Sequence, residues 1–139
     1  MIDLSEMAEY VDRAHDDGLT CLVATASKSG QPNLAFKGSM MVWDRDHLAF
    51  WERARGETLA HLRENPRIAV VYRNKAAGKA WRFYGVTEVH ESDPLREQVM
   101  ARTIPDELER DPERKGVAVL IRVDRVLGSG VDQRRDGSA

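Results

Sequence analysis

The sequence predicts a mostly β domain in which six antiparallel strands close into a small barrel with short helices at its periphery. Three observations lead there. Apolar stretches of strand length recur along the chain, separated by turn signals such as "KSGQPN" and "DRD". The links among the first strands are too short for the crossover that a parallel pair needs. Helical periodicity is confined to short stretches at the start, the middle and the late part of the chain.

Taken in order, Leu4, Met7, Ala8, Val11 and Ala14 recur at helical spacing, and Asp3 with Glu6 has the pattern of a capping box. That helix ends at Gly18. "LTCLVATAS" follows, apolar on both faces as a central strand should be, with Cys21 as a small core residue. Residues 33–43 read as one long strand. Leu34, Phe36, Gly38, Met40 and Val42 share one of its faces, and Lys37, Ser39, Met41 and Trp43 the other. A turn at Asp44-Arg45-Asp46 leads into "HLAFW", then a short helix closed by Asn65-Pro66, then the strands "RIAVVYR" and "AWRFYGVTEVHE". Asp93-Pro94 is an N-cap followed by a first-turn proline, which opens a helix through about Arg102. After a further helical turn in "PDELERD", "VAVLIRVDRV" is the last strong strand. The tail offers one core-forming residue, Val131, so one domain over 1–128 and a mobile segment over 129–139 are expected.

The 139 residues, 42% hydrophobic and 32% charged, suffice for one domain with a real core. A net charge of −2 supplies no basic field for nucleic acid or anionic lipid. The opening "MIDLSEMAEY" carries acids where a secretory signal carries Lys or Arg, and a lone cysteine suits a reducing compartment, so a cytoplasmic chain with no membrane segment is expected. His15, His47, His61 and His90 show no metal-ligand spacing, so no metal site is expected. No nucleotide-binding glycine loop occurs, and Ser27, Ser29 and Ser39 lack the context of a hydrolase nucleophile. No catalytic residue is singled out.

One stretch does carry a chemical signal. In "AFWERARGETLAHLRENP" a strand gives way to a helix, and Arg53, Arg55, Gly56 and Thr58 stand at the junction. Guanidinium forks and helix-start amides match phosphate oxygens, a glycine lets backbone approach, and a hydroxyl adds a donor. A solvated turn in which Glu52 and Glu57 balance the arginines fits the local charges equally well.

The strand ending at "LAFWER", the helix "LAHLRENPRIAVVY" with its Asn-Pro-Arg stop, and the strand "WRFYGVTEVH" together resemble the pyridoxamine 5′-phosphate oxidase-like flavin-binding split barrels. The resemblance spans residues 18 to about 126. It implies a six-stranded antiparallel split barrel that forms a homodimer, with flavin mononucleotide (FMN) in grooves between subunits. Carried over by position, it implies ring contacts from Lys37, Gly38, Ser39 and Met40. It places the phosphate at Arg53, Arg55 and Thr58, and makes Trp51, Trp81 and Arg82 groove residues. For Trp51 and Trp81, packing inside the barrel is the favoured reading over cofactor contact. Two departures stand out. Many members carry a Ser-Arg-Lys or similar basic run just before the helix, where this chain has Gly56, Glu57 and Thr58. The C-terminal Arg-x-His arrangement that grips the substrate phosphate in true pyridoxamine phosphate oxidases is missing from "VDRVLGSGVDQRRDGSA".

The expectation is an FMN-dependent oxidoreductase acting on a small-molecule substrate or electron partner, since flavin carries the redox chemistry itself. The alternative is a binding module without turnover, holding flavin, the deazaflavin coenzyme or haem, or one whose cofactor site Glu57 has spoiled. If Arg53 and Arg55 hold a phosphate, Glu57 faces solvent or Arg53. Strands apolar on both faces call for a second copy of the chain to cover the surplus.

Overall fold

A strand is stable when its inward residues share one apolar volume and its backbone finds two neighbours. In the computed structural model, which describes residues 1–135, the strands are β1 (Cys21–Ala26), β2 (Pro32–Lys37), β3 (Met41–Asp44), β4 (His47–Glu52), β5 (Arg67–Asn74), β6 (Lys79–His90), β7 (Val117–Gly128) and β8 (Val131–Arg134). The helices are α1 (Ala8–Val11), α2 (Glu57–Glu64), α3 (Pro94–Arg102) and α4 (Pro105–Glu109). The strands form one antiparallel sheet in the order β2-β1-β5-β6-β7-β4-β3, with β8 added on β7. The fold is a split barrel.

Alternation places Cys21, Val23, Ile68, Val70, Tyr72, Phe83, Val119 and Ile121 in the barrel core. Burial pushes the Cys21 thiol up to about 12, so it is an inert core group at neutral pH. Strand β4 is buried on both faces: Leu48 and Phe50 point into the barrel, while Ala49 and Trp51 join Met41, Val99 and Ala118 beneath α3. Strand β6 bends at a bulge between Tyr84 and Gly85, where a side chain would bring Cβ to 2.3 Å from the Arg122 carbonyl oxygen. Asp93 caps α3 as expected, accepting from the Arg96 amide at 3.1 Å.

Three expectations are corrected. The long strand over 33–43 is two strands, β2 and β3, interrupted around Gly38-Ser39-Met40. Its alternating apolar residues therefore do not share a face: Leu34 and Phe36 are 66% and 71% exposed, whereas Met40 and Val42 are core. The capping box is not formed, because Asp3 accepts from the Ser5 amide and α1 begins only after Met7. The segment expected to be mobile from Ser129 instead pairs as β8 through Arg134, which with the divided long strand makes eight strands rather than six. Residues 136–139 of that expected tail lie outside the described residues.

Strand β8 is held by tertiary partners that its own sequence does not announce. The amino terminus donates to the Arg134 carbonyl at 2.6 Å, and the Asp3 amide donates to Gln133 Oε1 at 2.8 Å. Arg135 bridges Asp46 at 3.1 Å and Asp124 at 3.2 Å. Truncation after Ser129 should therefore lower Tm by at least about 5 °C in a thermal melt, given ~2–8 °C per kcal/mol for domains near this size. A Tm within about 1 °C of the full chain would show that these contacts contribute nothing.

Candidate functional site

The corner between β4 and α2 is shaped by one unusual backbone. Arg55 adopts the left-handed region at φ 52°. Its amide donates to Glu52 Oε2 at 3.2 Å and its guanidinium to the Lys115 carbonyl at 3.0 Å, which hold the turn. Gly56 then starts α2 without a side-chain cap, and Glu57 occupies the first helical turn, where a carboxylate complements the helix dipole.

Each cation at this corner already has an acidic partner. Lys37 Nζ lies 2.6 Å from Glu52 Oε1, an ion pair whose carboxylate is buried. Arg53 Nε is 3.7 Å from Glu107 Oε1. Arg55 Nη2 is 3.6 Å from Glu91 Oε1, which also takes Arg63 from α2. Glu107 reaches Arg53 because Gly38 leaves it room: a Cβ there would lie 3.0 Å from the Glu107 carboxyl carbon.

The other expected site residues divide by depth. Ser39 is buried, its hydroxyl donating to the Trp51 carbonyl and accepting from the Trp51 amide. Met40 is core. Trp51 is buried, donates its indole N–H to Asp111 at 2.9 Å and carries the Arg96 guanidinium over its ring. Burial alone would raise the Asp111 pKa, but the Lys115 and Gly116 amides and the Trp51 indole outweigh it and hold the carboxyl below its ordinary range. Thr58 is buried and accepts from Asn33 at 3.4 Å. Trp81 stacks on Tyr72 at 5.6 Å and meets Tyr10 edge-on at 5.5 Å, inside the barrel. Lys37, Gly38, Arg53 and Arg55 thus gather at the corner, whereas Ser39, Met40, Trp51, Thr58 and Trp81 are packed within the chain. Arg82 is exposed on the outer face of β6. Glu57 faces solvent, and its carboxylate lies 3.0 Å from His61 Nε2 rather than against Arg53.

Two features escaped sequence reasoning. The acids that neutralise the corner come from the end of β6 and from α4, and no local pattern links Glu91 or Glu107 to an arginine so far away in the chain. The second is a groove of about 120 Å³ on the outer sheet face, lined by Leu22, Ala24, Leu34, Val71, Tyr84 and Arg82. A neighbouring depression of about 280 Å³ adds Asn65 and Arg67 and shares Ala24, Ala69 and Tyr84 with it. Among the described residues the Arg67 and Arg82 guanidinium groups have no acidic partner. Separately, Asp44, Asp46 and His47 bring one potential metal-ligand atom each within 4.8 Å of one another at the β3–β4 turn, where Arg135 already holds Asp46. Among the described residues no helix is long and apolar enough to cross a membrane.

The profile of the pyridoxamine 5′-phosphate oxidase family matches residues 8–127. The chain belongs to that family. No curated protein matches it. Among solved structures, HupZ of Group A Streptococcus superposes with a TM-score of 0.73 at 23% identity, covering 94% of this chain and 97% of that one. A protein described as a putative pyridoxamine 5′-phosphate oxidase of Lactobacillus delbrueckii gives 0.67 at 26% identity, with 84% and 89% covered. An FMN-binding protein of Syntrophomonas wolfei gives 0.70 at 12% identity, with 91% and 88% covered.

The family's cofactor can be tested against these residues in two parts. The outer groove suits a flat ring, with an apolar floor and guanidinium donors at its edge. The corner does not suit a phosphate, because its cations are engaged and Glu57 stands in the first turn of the helix.

Beside the corner, His90 is a titratable brace for the start of α3. Burial alone would lower its pKa, but hydrogen bonds to Asp93 at 2.6 Å and Glu88 at 3.1 Å outweigh it and raise it above 6.5. A raised histidine contributes stability that is complete below pH 6.5 and lost as pH climbs through the folded value. The exposed acids keep the effect small. The Tm difference between wild type and His90→Gln should therefore shrink from about pH 5.5 to about pH 8. A difference that widened with pH would reverse the assigned linkage.

Proposed function

We propose that this chain is a flavin-class oxidoreductase of its family, working as a homodimer that holds an isoalloxazine or deazaflavin ring against the outer sheet face. The observation that carries the reading is the groove over β1, β5 and β6, apolar at Ala24, Ala69 and Val71 and edged by Tyr84 and the unpaired Arg82. Such a ring has an apolar edge that the floor accepts and a carbonyl-bearing edge that accepts hydrogen bonds from a guanidinium. Bound there, the ring supplies hydride or electron transfer to a small-molecule partner. This chain's residues bind it, orient it and exclude water. The exposed Leu34 and Phe36 beside the groove support burial against a second copy. The FMN-binding description of the Syntrophomonas wolfei protein supports the same ligand class.

Riboflavin and FMN titrated into the apo protein should each be quenched on binding. Arg82→Ala should weaken binding by roughly 10- to 150-fold, the equivalent of ~1.5–3 kcal/mol for a charge-assisted hydrogen bond. Ala69→Trp, which fills the groove, should abolish it. A failure of both flavins and of the deazaflavin coenzyme to bind would sink the reading. Light scattering should return twice the 15.7 kDa chain mass, and Phe36→Glu should shift the protein to monomer. A wild-type mass near 15.7 kDa would remove the dimer from the proposal.

A further inference from the structure

We infer that the corner between β4 and α2 takes no phosphate, so this chain binds its ring ligand with no preference for a 5′-phosphorylated form. The inference rests on the flavin-class reading for its ligand and on the corner alone for its charge argument. Four cations meet there, Lys37, Arg53, Arg55 and Arg63, and each is already engaged by one of three carboxylates, Glu52, Glu91 and Glu107. A phosphate monoester would bring about −1.5 to −2 charges into a corner whose cations are all already engaged by carboxylates.

Displacing the resident acids is costly at the two inner pairs. Glu107 is 7% exposed and Glu52 1%, so a phosphate that drew away Arg53 or Lys37 would leave a buried carboxylate without its counter-ion. The outer pair is looser, since Arg55 and Glu91 are both half-exposed, yet the Arg55 guanidinium is also tied to the Lys115 carbonyl. The helix start offers no substitute. Glu57 already complements its dipole, and Thr58 is turned inward to Asn33. Glu107 and Glu91 are therefore the residues that keep the Arg53 and Arg55 guanidinium groups from a phosphate.

The test compares riboflavin with FMN by fluorescence titration of the apo protein, beside Tm in inorganic phosphate against chloride at equal ionic strength. Wild type should bind the two flavins within about 3-fold of each other. Glu107→Gln, and separately Glu91→Gln on a half-exposed residue, should each make FMN at least about 10-fold tighter while leaving riboflavin unchanged. FMN already 10-fold tighter than riboflavin in wild type would overturn the inference. So would two folded variants in which no phosphate preference emerges. If neither flavin binds, the ring reading fails and the phosphate arm still decides the corner. An unchanged wild-type Tm that rises with phosphate in the Gln variants supports compensation, whereas a wild-type rise above about 2 °C overturns it.

Discussion

The Ser39 hydroxyl, donating to the carbonyl of Trp51 and accepting from its amide, is the contact on which the rest of the site depends. It ties the interruption between β2 and β3 to the end of β4 and satisfies two backbone groups that would otherwise be buried without partners. Two consequences follow from that interruption. Gly38 beside it has no side chain, so Glu107 of α4 can lie against the backbone there and face Arg53. Trp51, fixed by its own backbone, sends its indole N–H to Asp111, whose carboxylate also accepts from the Lys115 and Gly116 amides. The connection from α4 to β7 is thereby held against β4. The same connection supplies the Lys115 carbonyl that stabilises the left-handed turn at Arg55.

The two faces of the sheet do different work. The inner face is closed by the chain itself, with α1 and the aromatic trio Tyr10, Tyr72 and Trp81 filling one part of the barrel. Among the described residues no helix lies over the outer face of β1, β2 and β5, yet it carries Leu22, Ala24, Leu34, Phe36, Ala69 and Val71. Under α3 the same side of the sheet is covered, and there β4 can be apolar on both faces without exposing anything. Coverage by one helix at one end and by nothing at the other is the asymmetry that a second copy and a flat ligand would resolve.

Much of this was readable from residues alone, for identifiable reasons. Strands β1, β5, β6 and β7 are strongly apolar and bounded by turn residues, and the Asp93-Pro94 cap is a local signal with a local partner. The division of residues 33–43 was hidden because its apolar positions keep period two across the interruption, so only tertiary contacts reveal that the faces change. Strand β8, "VDQR", is a polar edge strand whose stability comes from Met1, Asp3, Asp46 and Asp124. At the candidate site the arginines were visible and their counter-ions were not. Charge pairing between Arg53 and Glu107, or Arg55 and Glu91, depends on how α3 and α4 fold back over β4, which no local pattern encodes.

That last difference separates membership of a family from possession of its binding chemistry. The order of strand, loop, helix and strand persists here over residues 8–127, so the scaffold that carries the corner is intact. The charges presented by that scaffold are set by a few side chains, and those can change without disturbing the barrel. Glu57 places a carboxylate at the helix start. Glu91 and Glu107 engage Arg55 and Arg53. The sign of a charged contact turns on single side chains, whereas the apolar floor near Ala24 and Ala69 depends only on shape and burial. The ring half of such a site can therefore persist after its phosphate half has been compensated, and the two halves need separate measurements.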